Sequence, residues 1–112
     1  MEIRQNQTPD ALAQVRQKAC QLAETVLASE PTVRMFLFGS RSRGAAGIRS
    51  DIDLGIDLGS PISPEVMTLL REAFDDLPVR QKVDIVDFST VDEAFSAVAL
   101  RHTAKIYERQ AA

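Results

Sequence analysis

Asp51 and Asp53 stand two residues apart in Ser50-Asp51-Ile52-Asp53-Leu54, a short way after Gly39 and Ser40. In an extended chain, positions i and i+2 share a face, so the two carboxylates converge on one spot. Two anions a few ångströms apart repel by roughly 4 kcal/mol in a partly wet site. A chain keeps such a pair where something cationic sits between them. Hard carboxylate oxygens suit Mg²⁺, which takes one or two carboxylates plus substrate phosphates. The turn at Gly39–Ser40 offers backbone N–H groups for those phosphates, because glycine lets a ligand approach the backbone closely. Arg34, Arg41, Arg43 and Arg49 gather around the same glycine segment. Asp84, in Val83-Asp84-Ile85-Val86-Asp87, adds a third carboxylate inside an apolar run, where an aspartate is costly unless it is paired or metal-bound.

The elements that must position these residues follow from periodicity and punctuation. Thr8-Pro9-Asp10 is a helix start, and Leu12, Val15, Ala19, Leu22 and Val26 form an apolar stripe that ends near Ser29. Glu30-Pro31 breaks it. Val33 to Phe38 reads as a buried strand. A short helix is predicted from Ser40 to about Ala45, then a loop from Ala46 to Ser50. Asp51 to Leu58 alternates: Asp51, Asp53 and Asp57 face one side, and Ile52, Leu54, Ile56 and Leu58 the other. Ser63-Pro64-Glu65 opens a helix with Val66, Leu69, Leu70, Ala73, Phe74 and Leu77 as its stripe, closed by Pro78. Lys82 to Phe88 is the next strand, with Asp87 as a cap or turn residue near its end. Thr90 and Glu93 read as a capping box for a helix carrying Phe95, Val98 and Leu100. Lys105 to Glu108 is a last short strand or a helical turn. The α-β-α-β-α-β-α order predicts an α/β (α+β) fold, a small mixed sheet of three to four strands flanked by helices. Spacing leaves the direction of the first two strands open.

The chain has 112 residues, 45% hydrophobic and 26% charged, which suits one domain spanning residues 1–112, with 1–7 and 109–112 as loose ends. A net charge of -3 argues against a general nucleic-acid binder, so the arginine cluster is a local anion site. The single cysteine, Cys20, permits no intrachain disulfide and reads as an ordinary thiol. No apolar run approaches membrane-spanning length and residues 1–10 are polar, so a cytoplasmic location with no membrane partner is expected. His102 reads as a surface histidine and Tyr107 as packing. The Gly44–Gly47 spacing is too loose for a dinucleotide motif.

The succession Gly-Ser, Arg-Gly, Ser-Asp-x-Asp-Leu and a distal Val-Asp-x-Val-Asp resembles the polymerase-beta-type nucleotidyltransferase superfamily. Within it the likeness is to the minimal nucleotidyltransferases (MNT) paired with HEPN-domain proteins in prokaryotic toxin–antitoxin systems, and it covers nearly the whole chain. One departure is Ser42, where that family usually carries a small apolar residue. The resemblance implies that Gly39, Ser40 and Arg43 bind the nucleotide phosphates. It implies that Asp51, Asp53 and Asp84 hold two Mg²⁺ ions, with Asp84 also helping to activate the attacking hydroxyl. Two metals about 4 Å apart stabilise both the attacking and the leaving oxygens of an in-line displacement.

The activity so implied is transfer of AMP from ATP to a tyrosine of a HEPN-domain toxin, with release of pyrophosphate. Larger relatives carry an added helical domain that shapes the acceptor site, and the stretch from Ile85 to Ala112 is too short for one. The acceptor side is therefore expected to be open or completed by another chain. Two other readings stand beside this one: an antitoxin that neutralises its partner by contact alone, and a transferase acting on a small molecule. The retained Gly39, Ser40, Asp51, Asp53 and Asp84 favour the enzyme.

Overall fold

The structure is a computed structural model that describes residues 11–39 and 51–110. The helix start at 8–10, the short helix expected over 40–45 and the loop over 46–50 lie outside those residues. The described elements run α1 (Ala11–Ala23), β1 (Val33–Phe38), β2 (Ile52–Asp57), α2 (Pro64–Asp75), β3 (Val83–Asp87), α3 (Glu93–Ala99) and β4 (Thr103–Arg109). The four strands form one mixed sheet in the order β3-β2-β1-β4. β1 is antiparallel to both β2 and β4, and β2 runs parallel to β3. Parallel neighbours need a crossover connection, and α2 supplies it.

The two faces of the sheet do different work. Val33, Met35, Leu37, Ile52, Leu54, Ile56 and Ile85 point one way and join Val15, Ala19 and Leu22 of α1 and Leu70 and Phe74 of α2 in the main core. Each such large side chain taken out of water contributes about 1.5–3 kcal/mol, enough to fix the strand register, because a slip of one residue would turn every one outward. The opposite face carries Asp53 and Asp57 together with a small aromatic cluster of Phe36, Phe38 and Phe88. Phe88 meets Phe36 and Phe38 edge-on at centroid distances of 4.8 and 5.1 Å. Gly55 makes room for it: a Cβ there would lie 2.5 Å from Phe36 Cε2 and 2.7 Å from Phe88 Cε1.

Three local expectations are corrected. α1 ends at Ala23, because Thr25 Oγ1 donates back to the Gln21 carbonyl and Leu27 N–H reaches Leu22 O. The following turn therefore buries Leu27 and leaves Val26 at the margin of the core. The cap of α3 is Asp92, whose Oδ1 accepts from Phe95 N at 2.7 Å. Glu93 is then the first helical residue, too early for a capping box, while the Thr90 hydroxyl donates to Asp87 O in the preceding turn. No residue of α3 is fully buried: Ala99 packs against the aromatic cluster and the Phe95 ring meets Phe38 and Phe88, while Phe95, Val98 and Leu100 stay exposed. Arg109, placed by the sequence in a loose tail, is the last residue of β4. Its guanidinium donates to the carbonyls of Ala23, Leu27 and Glu30 and to the Tyr107 hydroxyl. Those carbonyls close α1 and its turn, where a helix end lacks internal partners and welcomes positive charge. Among the described residues no helix is long and apolar enough to cross a membrane.

Candidate active site

Phe38, Asp53 and Asp84 occupy one row across the sheet. Phe38 pairs with Asp53 across the antiparallel β1–β2 ladder, and Asp53 pairs with Asp84 across the parallel β2–β3 ladder. Neighbouring strands lie about 4.8 Å apart, and partners in register point to the same face. The carboxylates of Asp53 and Asp84 are therefore brought side by side by the backbone itself. Asp51 precedes β2 and is exposed.

Gly39 ends β1 with φ at +76°, a conformation that costs a side chain but not glycine. A Cβ at this position would sit 2.7 Å from Asp53 Oδ2. Turn and carboxylate are thus in direct contact, and the glycine is required twice, for its φ and for the space. The other predicted phosphate-binding residues, Ser40 and Arg43, lie outside the described residues, as do Arg41 and Arg49.

The electrostatics are those of crowded anions. Burial pushes the Asp53 carboxyl above its ordinary value, and the charges of Asp84 and Asp51 push it further. Asp84 pairs with Lys82 at 3.4 Å, with both side chains well exposed. Such an ion pair contributes little to stability. Among the described residues, no three His, Cys, Asp or Glu side chains close around a single point as a metal-binding group. The donor chemistry nonetheless fits a hard divalent cation: oxygen ligands only, with one carboxylate held at a disadvantage by two others, a strain that a bound cation would relieve.

Several neighbours escaped the sequence reading. Lys82 looked like a strand end, yet it shares a face with Asp84. Phe38 is the residue beside Asp53, and the alternation Phe36-x-Phe38 was its available signal. A hollow of about 230 Å³ opens next to Gly39, lined by Phe38, Gly39, Phe95, Val98, Ala99 and His102. On the other side of the carboxylates, at the β3 edge, a second depression of about 320 Å³ is lined by Arg71, Asp75, Lys82, Val83, Asp84 and Ile85. Asp87 is the turn residue expected of it: its carboxylate accepts from Ile62 N, Ser89 N and the Ser89 hydroxyl. Tyr107 packs at the core margin, and the Cys20 thiol makes only a 3.8 Å contact with Ile106 O.

Residues 21–112 match the family described as "Polymerase beta, Nucleotidyltransferase". The chain is 28% identical over 104 residues to a Haemophilus influenzae protein named "Probable protein adenylyltransferase MntA", covering 92% of this chain and 91% of that one. Among solved structures, one described as a toxin–antitoxin with AMP-PNP aligns at a TM-score of 0.61 and 21% identity, over 82% of this chain and 72% of that one. A second, of a tri-AMPylated Shewanella oneidensis HEPN toxin in complex with MNT antitoxin, aligns at 0.57 and 18% identity, over 85% and 71% of the respective chains. A third, a candidate nucleotidyltransferase from Sulfolobus solfataricus, aligns at 0.52 and 20% identity, over 95% and 94%.

Proposed function

The chain belongs to the polymerase beta nucleotidyltransferase family, and we propose that it is a Mg²⁺-dependent antitoxin that transfers AMP from ATP to a tyrosine of a HEPN-domain toxin. The observation that carries this reading is the contact of Gly39 with Asp53, with Asp84 in register beside it. The turn that we assign to the phosphates and the carboxylate pair thereby share one spot. Support for the acceptor comes from the H. influenzae relative, named as a protein adenylyltransferase, and from the S. oneidensis complex, whose toxin is AMPylated. Support for the donor comes from the AMP-PNP in another structural neighbour.

In the reaction the tyrosine Oη attacks the α-phosphorus of ATP and forms an Oη–P bond. The bond from that phosphorus to the oxygen bridging the β-phosphate breaks, and pyrophosphate leaves with the bonding electrons. Asp51, Asp53 and Asp84 would hold Mg²⁺, which when bound neutralises the developing charge on the phosphate oxygens. The amides at Gly39 and Ser40 orient the triphosphate, and Arg43 steadies it. Asp84 takes up the hydroxyl proton as the Oη–P bond forms and passes it to water. Its half-exposed carboxylate, beside an open depression, suits a proton acceptor that an incoming protein side chain must reach.

The test is to incubate a HEPN-domain toxin partner with this protein, ATP and Mg²⁺, to strip this protein away, and to assay RNA cleavage beside intact mass. Each AMP adds a phosphodiester anion, and negative charge near the toxin's RNA site repels a backbone that binds largely through its phosphates. Inhibition that persists with added AMP mass is expected. Cleavage that returns on separation, with no added mass, would leave an antitoxin acting by contact alone.

A further inference from the structure

We propose that the hollow between α3 and the end of β1 receives the planar base of the nucleotide; this rests on the nucleotidyltransferase reading and extends it to how the donor is held. The first ground is position. Phe38 lines the floor of the hollow and is the register partner of Asp53, and Gly39 lines its rim while touching the Asp53 carboxylate. The hollow therefore begins one strand spacing, about 4.8 Å, from the centre where the phosphate reacts. Phosphates on the Gly39 turn and a ring in the hollow are two parts of one molecule.

The second ground is chemistry and size. Phe38 and Phe95 stand nearly perpendicular, at 79° with centroids 6.1 Å apart, so the hollow presents both a ring edge and a ring face. Val98 and Ala99 add apolar wall, and among the described residues His102 contributes a polar side chain to the lining. At about 230 Å³ the space is smaller than the roughly 300–1,000 Å³ of whole-ligand sites. It suits a single flat moiety.

The third ground is the otherwise unexplained exposure of α3. Phe95 is 42% exposed and Val98 63% exposed, on a helix with no fully buried residue. Leu100 lines a separate hollow with Arg34, Phe36 and Lys105. A protein partner would be met by a continuous apolar patch, whereas a stacked base needs only the concave one beside the reaction centre.

The experiment uses calorimetry with two ligands, Mg–ATP and Mg–tripolyphosphate, on the wild type and on Phe95→Ala and Val98→Asn. Both substitutions are neutral, so the charge felt by the phosphates does not change, and the exposure of Val98 keeps that variant folded if Phe95→Ala destabilises the aromatic cluster. The expected result is a loss of about tenfold or more in ATP affinity, in the range of removing a base–aromatic stack, with tripolyphosphate affinity unchanged. Unchanged ATP affinity in Val98→Asn overturns the proposal, as does an equal loss for both ligands. Loss of toxin binding with ATP affinity intact overturns it too, and makes the hollow a protein interface. A wild type that transfers AMP but binds ATP no tighter than tripolyphosphate overturns the base site alone. A wild type that neither binds ATP nor transfers AMP overturns the transferase reading as well.

Discussion

Asp53 and Asp84 are partners in the parallel β2–β3 ladder, and they share a face of the sheet one strand spacing apart. Their backbones cannot separate without breaking ladder hydrogen bonds, so only side-chain rotation can part the carboxylates. The repulsion between them is therefore built into the fold, and it sets the terms for what the site does with protons and cations.

Asp53→Asn should remove transfer while raising stability. Loss of the proposed metal ligand is expected to cost several kcal/mol of transition-state stabilisation, roughly a thousandfold in rate. The stability effect has a definite pH window. The Asp53 carboxyl is raised above its unfolded value of 3.8 by burial, then by Asp84 and Asp51. Below that value the group is protonated in both states and carries no penalty. As pH rises through it toward the raised folded value, the unfolded chain gives up its proton first and the fold loses stability. The Asn variant should thus melt higher than wild type at pH 7 without divalent cation, and the difference should vanish below the unfolded value of 3.8. Added Mg²⁺ should raise the wild-type melting temperature and not that of the variant. Equal melting temperatures at pH 7 would show that the crowding is not felt.

The strands and the carboxylates were legible because their signals are local. The alternation from Asp51 to Leu58 placed Asp53 and Asp57 on one face, and the apolar run around Asp84 marked that residue as unusual. Sequence spacing could not supply adjacency: that β2 and β3 are parallel, with Asp53 opposite Asp84, is a property of the crossover through α2. Arg109 was misread for the same reason. Its partners, the carbonyls of Ala23, Leu27 and Glu30, lie some eighty positions away in the chain, and a terminal arginine carries no local sign of them.

Asp84→Ala should separate binding from turnover. Gly39, Asp51 and Asp53 remain in place, so titration with Mg–ATP should show binding within about threefold of wild type, while transfer falls by a hundredfold or more, the range for removing a general base. Stability at pH 7 should rise slightly, since the repulsion with Asp53 is relieved while the lost Lys82 pair is exposed and contributes little. Loss of ATP binding together with turnover would make Asp84 chiefly a ligand-holding group and refute its role as proton acceptor.

Gly55→Ala tests the aromatic floor. A methyl group there meets two ring carbons of Phe36 and one of Phe88 at 2.5 to 2.7 Å, so the rings must shift. Overpacking of this kind costs about 1–3 kcal/mol, read as a lower denaturant midpoint with an unchanged slope. Because Phe88 and Phe36 both pack near Phe38, the shift should also reach the row that holds Asp53, and transfer should fall more than the loss of folded protein accounts for. A variant as stable as wild type would mean that the rings can move aside at little cost.

Gly39 and Gly59 form a matched pair for asking whether the turn at the end of β1 is a functional element or only a bend. Both have positive φ, +76° and +79°, so alanine strains the backbone at either position by about 1–2 kcal/mol. They differ in what surrounds them. A Cβ at Gly59 meets nothing within 4 Å, whereas a Cβ at Gly39 strikes Asp53 Oδ2 at 2.7 Å. Gly59→Ala should therefore lower stability by the backbone strain alone and leave transfer by the folded protein unchanged. Gly39→Ala should cost at least as much stability and, by displacing the Asp53 carboxylate from beside the phosphate-binding amides, should reduce transfer by about a hundredfold, as a misplacement of about 1 Å can. Unfolding curves and single-turnover AMP transfer, measured on both variants, give the comparison. Equal transfer in the two would mean that the contact between Gly39 and Asp53 does not organise the site.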